Sequence, residues 1–259
     1  MIDTMGKTIY SQARGTGDAV VLVSGLGGLG AFWEPVVEQL AGDYRVLTFD
    51  HPGVGQSEIV GAPTIPGIVE ALLAVLDAHG VERAHLVGHS TGSLVTQAMA
   101  LDHPGRVRSI VLSSGWARPD KRFRDFFAYR QFVLGQLGGT AYNAMTRLVA
   151  YPSSWYGEHF AVDQALDYAA PSIVDVEMTQ ARMDMLQNYS RREELSRLEL
   201  PACVIGAEDD FVIPFHHSQE LAGLIPGARL VELSGGHFAP ITRTCAYTSL
   251  LRTFWESQA

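Results

Sequence analysis

Short, largely apolar runs without polar alternation recur along the chain between stretches whose apolar positions come every three or four residues. The runs are Ala19 to Val23, Arg45 to Phe49, Ala84 to Val87, Val107 to Ser113, Ala202 to Ile205 and Arg229 to Leu233. A strand with apolar side chains on both faces has to be covered on both, so these runs predict parallel strands inside a layered fold. The periodic stretches, Phe32 to Leu40, Pro66 to His79, Ser93 to His103 and Phe215 to Leu224, predict the covering helices. In the third, Leu94, Val95, Ala98, Met99 and Leu101 form the apolar stripe, and His103-Pro104-Gly105 stops it. Strand and helix in alternation predict an α/β fold, a mostly parallel sheet flanked by helices.

From Trp116 to Pro201 this rhythm breaks, because no run there has the look of a strand. Asp120 is placed to cap a helix carrying Phe123, Phe126, Phe127, Leu134 and Leu137, which Gly138-Gly139 is expected to end. Pro152 and Pro171 punctuate shorter helices, and Ser172-Ile173-Val174-Asp175 resembles a capping box opening a helix through Met178, Met183 and Leu186. The expected organisation is a core of residues 1–116 and 201–259, with residues 117–200 inserted as an α-helical cap.

Composition narrows the function. With 47% apolar and 18% charged residues the chain has a folded protein's balance; its net charge is −9, and no Lys/Arg run reads as a phosphate-binding face. No window reaches the ~18 unbroken apolar residues of a membrane span, and Met1 to Lys7 lacks the core of a signal peptide. A cytoplasmic protein that meets neither membrane nor nucleic acid is expected. Cys203 and Cys245 lack metal-type spacing and are expected to be buried thiols. His216-His217, adjacent on a helix and without a carboxylate at ligand spacing, is expected to be a solvated helix start, so no metal and no cofactor are assigned.

The chemistry centres on Gly88-His89-Ser90-Thr91-Gly92, a G-x-S-x-G pattern. Composition alone yields roughly 0.17 chance copies of it in a chain of this length, so context has to supply the specificity. Here it follows the run ending at Val87 and opens a helix, where a strained strand-to-helix turn projects a serine hydroxyl above the sheet. A serine needs a base, and a base needs an orienting carboxylate. His237, in Leu233-Ser234-Gly235-Gly236-His237, follows the last strand; Glu208, Asp209 and Asp210 follow the one before. The oxyanion needs backbone donors, for which Thr91, after the nucleophile, and Leu26, in Ser24-Gly25-Leu26-Gly27-Gly28, are the candidates. That loop also fits another class. Gly25-x-Gly27-x-x-Gly30, with Asp50 twenty residues on, matches a dinucleotide fold, although Pro35 interrupts the helix that would receive a phosphate.

Taken together, Ser24 to Gly28, Asp50-His51-Pro52-Gly53-Val54-Gly55-Gln56-Ser57, Gly88 to Gly92 and Gly236-His237 resemble the α/β-hydrolase superfamily over nearly the whole chain. That resemblance implies a Ser90, Asp210 and His237 triad, since the family's acid usually stands four residues before the loop proline, here Pro214. Ser24 departs from the family, many of whose members carry histidine there. Phe32-Trp33, Ser114-Gly115-Trp116 and Tyr151-Pro152-Ser153-Ser154-Trp155 further resemble the aminoacrylate hydrolases of pyrimidine degradation. The implied function is serine hydrolysis of a small, anionic ester, amide, carbamate or enamine-type substrate. An enol-lactonase or carboxylesterase is the neighbouring reading, and a small-molecule receptor on the same fold is a reading of another class. Trp116, Tyr129, Arg130, Trp155 and Phe238 are the substrate-binding candidates. Arg130 stands out because residues 118 to 197 hold ten basic and ten acidic side chains, leaving the whole charge excess to the rest of the chain. His51 and His89 receive no role, and the sequence leaves room for a homodimer.

Overall fold

A computed structural model describes residues 2–4, 7–59, 61–160 and 174–258. All six predicted runs are strands. A seven-stranded sheet has the order β3-β5-β4-β6-β7-β8-β9, formed by β3 (Ser11–Arg14), β4 (Ala19–Val23), β5 (Arg45–Phe49), β6 (Ala84–His89), β7 (Val107–Ser113), β8 (Ala202–Ala207) and β9 (Arg229–Leu233). Its pairs are parallel except for β3 against β5. Upstream, β1 (Ile2–Thr4) and β2 (Lys7–Ile9) make a separate antiparallel hairpin. β1, β2 and β3 lie outside the predicted runs, because three or four residues are too few to show a period.

Successive residues of a strand point to opposite faces, and the core divides accordingly. Val21, Val23, Leu86 and Leu112 pack under α2 (Ile65–Ala78) and α3 (Thr91–Asp102). Val20, Leu22, Val87 and Val111 pack on the other face against Val36 and Leu40 of α1 (Glu34–Leu40). Tyr247, Leu251, Phe254 and Trp255 join that second face, and they lie on a C-terminal helix that the strand-and-helix reading does not include.

Between β7 and β8 run α4 (Lys121–Ala150), α5 (Ser153–His159) and α6 (Val176–Asn188), with no strand among the described residues. Asp120 caps α4 as expected, its Oδ1 accepting the Phe123 N–H at 2.7 Å. The first helical stretch ends at the glycine pair, as expected: Gly138, at φ 79° and ψ 178°, breaks it, and a second helical stretch resumes at once beyond the kink. The start of α6 also differs from expectation. Asp175 caps it, accepting the Met178 N–H at 2.9 Å, while Pro171, Ser172 and Ile173 lie outside the described residues. After β8 come α7 (His216–Leu224), α8 (Ala239–Thr242) and α9 (Thr244–Glu256), the last being the C-terminal helix of the second core face. Cys203 is buried, but Cys245 is exposed at the start of α9, contrary to expectation. Among the described residues no helix is long and apolar enough to cross a membrane.

Candidate active site

Ser90 sits between the end of β6 and the start of α3 with φ 54° and ψ −116°, a backbone that few side chains tolerate. The flanking glycines show why the motif has its form. A Cβ on Gly88 would stand 2.2 Å from the Gly92 carbonyl oxygen, and one on Gly92 would stand 2.1 Å from that of Val23. The Ser90 N–H donates to Ser113 O at 2.8 Å, which ties the turn to β7.

Two further loops leave the same, C-terminal, edge of the sheet, where ligands of open α/β folds bind. From the end of β8 comes Asp210, buried, with Oδ1 accepting the N–H groups of Val212 and Ile213 at 2.9 Å each. Its Oδ2 lies 2.9 Å from His237 Nδ1. An ionised carboxylate only accepts, so Nδ1 carries the proton and Nε2 is left as the basic nitrogen. Asp209, its neighbour in sequence, does something else: its Oδ1 accepts the N–H groups of Gly235 and Gly236 at 2.9 Å and holds the backbone that aims His237. The doublet therefore divides into one residue on the imidazole and one on its loop.

The imidazole of His237 stands 4.9 Å from that of His89, the residue before Ser90. Burial, and then the charge of His237, hold His89 well below the ordinary histidine range, so it stays neutral. Phe32 stacks on His89 at 5.1 Å, and Phe238 closes on Phe32 at 5.7 Å. Phe238 also touches Tyr151 at 5.0 Å, whose ring stacks on Trp155 at 4.5 Å. An aromatic wall thus runs from beside His237 to α5.

The loop after β4 lies against Ser90, since a Cβ on Gly25 would come within 3.3 Å of the Ser90 Cβ. Ser24, where the family often has histidine, donates its hydroxyl to Leu29 O at 2.7 Å and braces the loop. Among the described residues neither the Leu26 N–H nor the Thr91 N–H is bonded to a protein acceptor. Asp50 shows why the dinucleotide alternative fails here. Its buried carboxylate accepts Gly30 N–H at 2.8 Å and Gln56 N–H at 3.0 Å, so it is not free to face a ribose.

A family model described as alpha/beta hydrolase fold matches residues 18–244. The chain belongs to that family. It is a hydrolase. A relative named "Putative carbamate hydrolase RutD" from Azorhizobium caulinodans is 34% identical over 235 residues, 89% of this chain and 88% of its own length. One of the same name from Pseudomonas syringae is 35% identical over 245 residues, 92% and 94% of the two chains. The solved enol-lactonase from Burkholderia xenovorans aligns with TM-score 0.85 and 25% identity over 97% of both chains.

Not every residue singled out in the sequence converges on this alpha/beta-hydrolase site. Trp116 is fully buried with its ring 4.8 Å from Phe123, a packing position between sheet and α4. Tyr129 is 57% exposed on the outside of α4, in a shallow groove with Lys121, Arg122, Phe126 and Phe211. Arg130 is buried, yet its described contacts all lie within α4: Nη2 donates to the Tyr142 hydroxyl at 2.5 Å and the guanidinium rests on Phe126, Phe127 and Tyr142. It staples the two halves of the helix across Gly138.

The His216-His217 pair also differs from expectation. His217 is buried, and Asp120 reaches both imidazoles from ninety-six residues away, its Oδ2 at 3.1 Å from His216 Nε2 and 3.5 Å from His217 Nε2. This is the one group among the described residues able to hold a metal ion. Sequence spacing could not reveal it, because the carboxylate comes from the cap of α4.

Proposed function

We propose that this enzyme is a serine hydrolase that cleaves a small, anionic ester, amide, carbamate or enamine-type substrate. On an ester, amide or carbamate, Ser90 Oγ attacks the substrate carbonyl carbon as its proton passes to His237 Nε2. Asp210 holds the imidazole and stabilises the imidazolium, and the N–H groups of Leu26 and Thr91 receive the oxyanion. As the tetrahedral intermediate collapses, the leaving group takes the proton from His237, and an acyl-enzyme remains on Ser90. Water, deprotonated by His237, then releases the acid and restores Ser90.

The observation that carries this reading is the 2.9 Å contact between Asp210 Oδ2 and His237 Nδ1, with the other carboxylate oxygen fixed by two backbone donors. A carboxylate so held can keep one tautomer and no other. The aromatic wall of Phe32, Phe238, Tyr151 and Trp155 supports a compact substrate. The helical segment 117–200 would serve as a cap, and the balance of ten basic and ten acidic side chains over residues 118–197, beside an acidic core, supports an anionic one. Names of the relatives support carbamate as one member of the class. The likeness to a solved enol-lactonase favours a second reading, lactone opening by the same residues.

A panel of short esters, lactones, amides and carbamates, each with and without a distal carboxylate, tests the class. Higher kcat/KM for the carboxylate-bearing members is expected. No advantage from the carboxylate would contradict an anionic substrate, and no turnover of any member would contradict the hydrolase mechanism.

A further inference from the structure

One buried cation lies next to the proposed catalytic residues without having a part in the mechanism above. Arg182, in the middle of α6, is 1% exposed, and no carboxylate pairs with it among the described residues. Its partners are dipoles. Nε donates to Leu26 O at 2.8 Å, Nη2 donates to His51 Nδ1 at 2.8 Å, and Nη2 makes a longer contact of 3.5 Å with Gly25 O. Nη1 is buried and unpartnered.

A guanidinium removed from water without a counter-ion is costly, and it persists only where fixed dipoles take over from solvent. Here those dipoles belong to the two consecutive peptide groups that define the position of the Leu26 N–H. The Gly25–Leu26 peptide is planar, with C=O and N–H on opposite sides. Gly25 O is held by the Gly28 N–H at 3.0 Å and approached by Arg182, so the Leu26 N–H is directed away from both. Leu26 O is held by Arg182 Nε, which fixes the next peptide as well. A hydrogen bond accepted by a carbonyl also polarises its peptide and strengthens the N–H as a donor. His51 completes the anchor. Burial and the nearby guanidinium hold it well below the ordinary histidine range, so its Nδ1 is available to accept. Gly28, at φ 70°, lets the loop pass this close, since a Cβ there would stand 3.1 Å from Arg182 Nη2 and 3.1 Å from the His51 Cβ.

We propose that Arg182 is the positioning residue of the oxyanion hole. It reaches from α6 to set the Gly25–Leu26 and Leu26–Gly27 peptides, so the hole is complete only while α6 is docked on the loop. This rests on the serine-hydrolase reading. Burial lowers Arg182 to about 10, so it remains cationic at neutral pH.

Arg182→Lys and Arg182→Ala, checked for folding by circular dichroism, test it against the best substrate of the panel. Loss of a direct oxyanion donor costs 10²–10³ in kcat, and a misdirected one is expected to cost about 10- to 100-fold. KM should change less than threefold. Ethylguanidinium at tens of millimolar should restore part of the kcat of Arg182→Ala, which a merely destabilised fold would not allow. A kcat within twofold of wild type in the folded variants, or a loss confined to KM, overturns the proposal. Hydrogen exchange on the wild type covers the case in which neither variant folds. Phosphonylation of Ser90 should protect residues 25–28 and the middle of α6 together, and protection of the loop alone overturns the coupling. Wild-type enzyme that neither turns over nor takes up the phosphonate would instead defeat the serine-hydrolase reading.

Discussion

At the scale of single residues, the acidic doublet shows how closely one position can separate two tasks. Asp210 meets the imidazole, whereas Asp209 meets the backbone of the loop that carries it. Asp210→Asn presents an amide N–H or the wrong acceptor to His237 Nδ1 and disturbs the tautomer, so kcat should fall on the order of 10⁴, as in triad proteases. Asp209→Asn keeps an acceptor for Gly235 and Gly236 and should lose far less, at most about tenfold, with a lower Tm. Steady-state kinetics on the two variants decide between them, and the reverse ranking would contradict the division of roles. Arg130 was the cationic side chain the sequence singled out, and its surroundings give it a different task. Arg130→Met is expected to lower Tm without changing the ratio of kcat/KM for substrates with and without a distal carboxylate. A collapse of that ratio would return Arg130 to the substrate site.

Among the elements, the ones that unbroken apolar runs or strong periodicity announce are the ones the structure contains. β4, β5, β7 and β9 begin and end at the residues their patterns gave, most plainly β4, where a strand covered on both faces leaves no polar position inside it. The misses have local causes. α9 carries Tyr247, Leu251, Phe254 and Trp255 at spacings of four, three and one, a legible stripe that lies beyond the last predicted strand. Gly138-Gly139 reads as a helix stop and breaks the helix, but the second helical stretch directly beyond it is absent from the sequence pattern. Gly138→Ala tests that break. Its Cβ would meet open space, so the only penalty is backbone conformation at positive φ, about 1–3 kcal/mol, to be read as a loss of Tm. An unchanged Tm would mean that the helix can straighten at no cost. Ser90, the stretch Glu208 to Asp210 and His237 each follow a strand-like run and so stand out in the sequence, and Asp210 is singled out by the family resemblance, whereas the contacts of Arg182 and Asp120 join residues far apart in sequence and leave no spacing to read.

Over the whole molecule, several histidines are buried in the neutral form. Burial pulls His85 down to about 4, with the Arg108 charge adding to it, and holds His51 and His89 well below their ordinary range. In the unfolded chain these groups take up protons near 6.5, while in the folded protein they do so only at lower pH. Between those values the unfolded state binds more protons, so stability rises with pH across that window and is lost as the pH falls through it. Thermal melts from pH 7.5 down to pH 4.5 should therefore show a falling Tm, steepest below about 6. A flat profile would mean that these histidines are not neutral in the fold. The same burial keeps His89 uncharged beside His237.

The central claim is that Ser90 carries the substrate's acyl group. Intact-protein mass spectrometry during turnover of the best panel substrate, quenched in acid and followed by peptide mapping, measures this directly in wild type and in Ser90→Ala. The expected result is a transient adduct of the acyl mass on the peptide containing Ser90, absent from Ser90→Ala, together with loss of turnover in that variant and an unchanged far-UV spectrum. Turnover by Ser90→Ala at the wild-type rate would contradict the acyl-enzyme and make direct attack by water the reaction of this fold.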